Sequence, residues 1–275
     1  MHLHRQPVNQ PQAQFVWPLR NELLAALPAA HRQRWSPQLE PVDLSVGQVL
    51  YECGSRPAFV YFPSTAVVSL MSLTRDGAST ELAVVGQEGL VGIAVLMGGS
   101  VVFSQAVVQA AGQAYRLPAP TLQAELQRPG PGLALLLRYM QAVMAHVAQT
   151  ALCNRYHSID QQLCRRLLLA LDRSEHNDLQ MTQEGVANLL GVRREGITAA
   201  ALKLQQAGAI SYHRGRVCVL DRQLLEQRTC ECYDKATQEH RRLLPRLKPV
   251  LTPPPPQQPQ QPMWQPAHAA LSLAG

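Results

Sequence analysis

The sequence predicts an α+β chain: an N-terminal β-roll of the double-stranded β-helix, cupin-like kind, then a long dimerisation helix, then a C-terminal winged helix-turn-helix. Three observations carry this. Short β-branched runs between Gly, Pro and Asp fill residues 41–118. An apolar stripe at heptad steps begins at Leu133. Residues 181–220 read as two short helices followed by a hairpin. The expected division is a disordered start at 1–18, a roll at 19–130, a long helix at 131–158, a winged helix-turn-helix domain at 159–235, and a tail at 236–275, Pro/Gln-rich and disordered from about 252.

In chain order, LRNELLAAL at 19–27 reads as a short amphipathic helix stopped by Pro28. The runs VGQVLYE, FVYF, AVVSLMSLT, TELAVV, LVGIAVLM, VVFSQAVVQA and QAYRLP follow as strands of a small sandwich or barrel, and RDGAST supplies an Asp-Gly hairpin turn. Pro129 to Gly132 break the chain before a long helical stretch. Within it Leu133, Leu137, Met140, Met144, Val147 and Ala151 recur at alternating steps of four and three, the seam two helices need to bury a narrow stripe against each other. Leu136 and Val143 lie beside that seam and are expected to pack on their own domain.

Residues 181–206, MTQEGVANLLGVRREGITAAALKLQQ, divide at Gly191. Thr182 is a candidate N-cap, Val186, Leu189 and Leu190 give the first helix an apolar face, and Ile197, Ala201 and Leu204 line the second. The second helix opens on Arg193, Arg194 and Glu195, with Thr198 off its apolar stripe. Those are groups able to read base edges: Arg grips guanine with two hydrogen bonds and Glu accepts from cytosine. The hairpin AISYHRGRVCVL brings Arg214 and Arg216 to its tip, where they and Thr182 are candidate phosphate contacts.

Composition agrees. The 275 residues are 46% hydrophobic and 16% charged, with net charge +6. Residues 31–130 carry six Lys and Arg against seven Asp and Glu, whereas 161–250 carry fifteen against ten, a basic excess that suits a polyanionic partner. No run of about 18 apolar residues suggests a membrane span, and the start lacks the apolar core of a secretory signal, so the expected address is the cytoplasm. The six cysteines lack zinc-finger spacing. Cys230 and Cys232, two apart in an expected helix, would point about 200° apart around its axis, so the thiols are read as reduced and structural, with no metal site and no cofactor. His2 and His4 are candidates for a metal or haem site, but at an unordered start they are read as solvent-exposed.

This layout resembles the Crp/Fnr family of bacterial transcription regulators over roughly residues 20–235, most strongly at TQEGVANLLGVRREGITAAALKLQQAGAISYHRGRVCVLD. The resemblance implies a homodimer on a palindromic operator in duplex DNA, meeting RNA polymerase at promoters, with Arg194 and Glu195 matching the family's base-reading pair. Ala199 stands where some members carry another base-reading arginine. Cyclic-nucleotide-binding members use a Gly-Glu pair for the ribose and an Arg-Ser/Thr pair for the phosphate. Here Gly92 is followed by Ile93, and Phe103-Ser104-Gln105 occupies the arginine region, so nucleotide binding is expected to be lost. The iron–sulfur branch has an N-terminal cysteine cluster, but the first cysteine here is Cys53.

Three other functions fit the sequence less well. A catalytic cupin-like barrel needs clustered ligands or a nucleophile with a base, and residues 41–118 contain no histidine. A ligand-binding adaptor would not need arginines on both the helix and the wing. RNA binding lacks a stacking platform, aromatics being 5%.

Overall fold

The computed structural model describes residues 18, 20–98, 101–174 and 176–244. The start expected to be disordered, apart from Pro18, the tail beyond 244, and His2 and His4 lie outside them. The first helix, α1 (Glu22–Ala26), begins later than the pattern suggested, because buried Asn21 acts as its N-cap, accepting from the Leu24 N–H at 2.9 Å. The Asn21 amide also donates to the Pro63 and Gly89 carbonyls, both at 2.8 Å, so the cap anchors the helix to the roll. Pro28 ends α1 and also stands at the N-cap of α2 (Ala29–Trp35), a helix the sequence reading missed. Trp35 is fully buried.

The roll comprises β1 (Glu40–Leu44), β2 (Val49–Tyr51), β3 (Phe59–Pro63), β4 (Val67–Leu73), β5 (Ser79–Val85), β6 (Gln105–Ala110) and β7 (Gly112–Pro118). They form two antiparallel sheets, β1-β7-β3 and β2-β6-β4-β5. Tyr51, Val68, Val85, Val91, Ala106 and Val108 fill the interior. The Asp-Gly turn joins β4 to β5 as expected, with Gly77 at φ +89°. LVGIAVLM is not a strand. Only Val91 bridges to Tyr61, and Gly92, at φ +96°, then turns the chain into a 3₁₀ segment, Ile93–Met97. A Cβ at Gly92 would sit 3.1 Å from the Val60 side chain, so the close approach also favours glycine there.

After α3 (Ala119–Gln123) the chain enters α4 (Pro131–Tyr156). The helix ends at His157, and Ser158 starts α5 (Ile159–Leu171) with a reciprocal Ser158–Gln161 capping box. The C-terminal head continues with β8 (Asp178–Gln180), α6 (Gln183–Leu190), α7 (Arg194–Gln206), β9 (Ile210–His213), β10 (Arg216–Val219), α8 (Arg222–Arg228) and α9 (Cys232–Leu243). Its sheet has the order β8-β10-β9, so the expected hairpin gains a third strand from three residues that carry no legible strand pattern.

The heptad stripe on α4 divides in this chain. Leu133 and Met140 are half-buried against the cluster under α1 and α2, and Val147 against the roll interior. Leu137 at 42% and Met144 at 61% exposure, with exposed Ala151, face outward. Leu136 is fully buried on its own domain and Val143 half-buried, as expected.

Candidate nucleic-acid interface

The base of the head is apolar. Val186, Leu190, Ile197, Ala201 and Leu204 pack with α5 and with Val217 and Val219 of β10, which fixes the angle between α6 and α7. Thr182 caps α6, its hydroxyl oxygen accepting from Gly185 N–H at 2.9 Å, and Gly191 closes the helix in the left-handed region at φ +65°. Arg193 is the N-cap of α7 rather than its first turn, and Arg194 and Glu195 open the helix. Arg193, Arg194, Glu195 and Thr198 are all exposed. The Thr198 hydroxyl lies 2.8 Å from Gln183 Oε1 and 3.1 Å from the Arg194 carbonyl, so it bridges the start of α6 and the start of α7. Exposed Leu202 lies one turn further along this face and was not singled out from the sequence.

The wing turns at Arg214 and Gly215, both with positive φ, +47° and +78°. That is the turn a two-residue hairpin requires. Gly215 lies against Thr182, since a Cβ there would be 3.2 Å from the Thr182 methyl, and the Gly215 carbonyl accepts from Met181 N–H at 2.9 Å. The wing tip and the N-terminus of α6 are therefore contiguous. Arg214 is exposed, while Arg216, also exposed, pairs with Asp178 at 3.0 Å. An exposed pair of this kind is weak.

Residues 161–228 match the family described as a Crp-like helix-turn-helix domain. The fold is also that of solved regulators. A putative transcriptional regulator of the Crp/Fnr family from Eubacterium rectale superposes with TM-score 0.60 at 18% identity, covering 76% of this chain and 98% of that one. FixK2 from Bradyrhizobium japonicum gives 0.59 at 16%, covering 70% and 98%. The c-di-GMP responsive global regulator CLP of Xanthomonas campestris gives 0.56 at 15%, covering 70% and 100%. No curated protein matches the sequence. Residues 161–228 are a Crp-like helix-turn-helix domain in a chain with the Crp/Fnr fold.

In this Crp/Fnr architecture the reading head is docked on the roll by charge. Arg166 of α5 meets Glu81 of β5 at 3.1 Å with both side chains buried, and the Ser69 hydroxyl donates to the same carboxylate. Arg173 meets Glu88 at 2.7 Å. A cavity of about 110 Å³ lies beside this joint between the roll, α4 and α9, with Glu88, Tyr139, His146 and Arg173 in its wall. The helix-turn-helix corner docks too: Thr80 and Ser79 of β5 donate to the Leu189 and Asn188 carbonyls at 3.4 Å, and a Cβ on Gly191 would lie 3.3 Å from Thr80.

Inside the roll Ile93 and Ser104 are both buried, and Phe103 is exposed at 68%. Burial strongly opposes ionisation of the Tyr51 hydroxyl, with Ser104 and the Gly92 backbone acting against it.

One sequence expectation is overturned. Cys230 does not lie in a helix with Cys232, because α8 ends at Arg228 and α9 begins only at Cys232. The extended link frees Cys230 to turn towards α4, so the two thiols converge instead of diverging. Cys153, His157, Cys230 and Cys232 bring one ligand atom each within 4.8 Å of all the others, so the expectation of no metal site loses its geometric ground. Cys153 Sγ and Cys230 Sγ lie 3.6 Å apart, hydrogen-bonded with either sulfur able to donate. That hydrogen bond holds the Cys230 thiol below its ordinary value, and the same bond together with burial pushes Cys153 up.

Proposed function

We propose that this chain is a dimeric, cytoplasmic Crp/Fnr-type transcription regulator that reads a palindromic operator in duplex DNA and meets RNA polymerase at promoters. Its parts are a sensor-like roll at 19–130, a dimerisation helix at 131–158 and a reading head at 159–235. The observation that carries the reading is the outward face shared by α7 and the wing. Arg193, Arg194, Glu195 and Thr198 are exposed together, with Thr182 and Arg214 beside them at the contiguous α6 start and wing tip. The first group offers donors and an acceptor to base edges, and Thr182, Arg214 and Arg216 offer contacts to the phosphates on either side.

The dimer rests on the exposed part of the stripe, Leu137, Met144 and Ala151, with Leu133, Met140 and Val147 closing it against the protomer's own core. The roll has lost cyclic nucleotide binding: Ile93 offers no acceptor to a ribose, Ser104 no cation to a phosphate, and burying the anionic phosphodiester unpaired is costly.

The test is selection of bound duplexes from a randomised pool, with sedimentation of the same protein. Wild type should be a dimer and should enrich imperfect palindromes with half-sites about one turn of B-DNA, roughly 34 Å, apart. Leu137→Glu combined with Met144→Glu should raise the dimer dissociation constant at least about tenfold, or 1.4 kcal/mol, and reduce binding to single half-sites. Asymmetric enriched sites, or a wild type that sediments as a monomer, would sink the proposal.

A further inference from the structure

We propose that Cys153, His157, Cys230 and Cys232 form a four-ligand site for one zinc-class divalent ion that staples the two ends of the reading head to the end of the long helix. Cys153 is in the last turn of α4 and His157 is its C-cap, while Cys230 and Cys232 span the start of α9. The four therefore flank the matched segment 161–228, two before it and two after it, and packing of α9 along α4 brings them together.

The geometry suits a mononuclear tetrahedral ion. Zn–S bonds of about 2.3 Å and Zn–N bonds of about 2.0 Å put neighbouring sulfurs roughly 3.8 Å apart and a sulfur and nitrogen roughly 3.5 Å apart. The observed separations are 3.6 Å for Cys153 Sγ to Cys230 Sγ and 3.3 Å for Cys232 Sγ to His157 Nδ1. The widest separation, 4.8 Å, needs to close by only about 1 Å. So compact a set leaves no space for an iron–sulfur cluster between its ligands.

The ligand types select a soft or borderline metal. Three thiolates with one imidazole favour zinc over magnesium or calcium, which prefer oxygen. The three cysteines are buried, at 0%, 3% and 0% exposure, so a bound ion would be held away from water with all four positions filled by protein, the mark of a structural site.

The surroundings supply what such ligands need. With Nδ1 aimed at the cluster, His157 Nε2 faces the Glu231 carboxylate at 3.3 Å, the outer partner that fixes the tautomer and orientation of a ligating histidine. The Gln149 amide donates to Cys232 Sγ at 3.0 Å, a bond that stabilises a thiolate. Binding would release the thiol protons and convert three buried sulfurs into bonds that cross the junction. His157 and Ser158 are the link between α4 and α5, so the ion would close the head at its hinge.

The full chain, purified reduced and without oxygen, should retain about one zinc per chain by plasma mass spectrometry. Cobalt in its place should give thiolate-to-cobalt charge-transfer bands and the intense visible bands of tetrahedral coordination. Cys230→Ser should lower retained zinc at least about tenfold, while Cys53→Ser, at an exposed thiol remote from the cluster, should retain it. His157→Cys keeps four ligands and should raise the thiolate band by about a third, from three thiolates to four, a signature that survives if Cys230→Ser misfolds. Four outcomes would overturn the site: folded, reduced wild type holding under about a tenth of an equivalent after reconstitution with zinc; cobalt spectra without thiolate bands, as His2 and His4 alone would give; an unchanged thiolate band in His157→Cys; or a Cys153–Cys230 disulfide trapped from intact cells, which would make the pair a redox couple instead.

Discussion

The base and the tip of the reading head use the same side chain for opposite ends. At the base Arg165 and Arg166 are 6% and 3% exposed: one donates to the Thr150 hydroxyl of α4 at 3.0 Å and the other pairs with Glu81 of the roll. At the tip Arg193, Arg194 and Arg214 are exposed. The basic excess that pointed to a polyanion is thus divided between a joint inside the protein and a surface turned outward. A charge count along the sequence cannot separate the two, because α5 and α7 are both amphipathic and the packing of α4 and the roll against α5 decides which arginines are buried.

That division yields distinct signatures. The largest effect belongs to the base. Arg166→Ala leaves Glu81 buried without its cation and should cost about 3–5 kcal/mol of stability, read by urea unfolding. Arg166→Met combined with Glu81→Leu should recover most of it, since a buried pair is often replaceable by hydrocarbon. A single variant as stable as wild type would mean that the joint is not closed in solution. Arg194→Ala comes next. It should leave unfolding unchanged, weaken the selected duplex by about 1–3 kcal/mol and relax preference at one position in each half-site. An equal loss on selected and scrambled duplexes would make Arg194 a phosphate contact. Smallest is Arg214→Ala, which should weaken every sequence alike and lower the magnitude of the salt slope by about one unit, measured by titration at several salt concentrations. A change in base preference there would reverse the roles of helix and wing.

Much of this fold was legible because its signals are local. Asp76-Gly77, Thr182 and Gly191 each mark a turn or cap through the chemistry of one or two residues, and each stands where the pattern put it. LVGIAVLM misled because a continuous apolar run has no period; Gly92 and the nearby Val60 side chain, not hydrophobicity, make it 3₁₀. α2 was hidden by Pro28, which reads as a stop and also serves as a start. β8 is three residues whose pairing exists only once β10 is beside it. The thiol cluster was least legible of all. Its members lie at 153–157 and 230–232, and assuming one unbroken helix through Cys230 reversed the geometry. The face of α7 was read from its own spacing, but Leu202 was passed over because an apolar residue among polar ones gives no charge signal.

The contact of Gly191 with Thr80 makes the corner of the helix-turn-helix a fulcrum resting on the β4–β5 hairpin. Beyond it α7 runs 13 residues, a rigid arm of about 20 Å. A tilt of roughly 10° at that pivot carries the far end of the arm about 3.4 Å, close to the rise of one base pair. Arg194 and Glu195 sit beside that pivot and move far less, so the roll holds the start of α7 nearly in place while its far end is carried furthest.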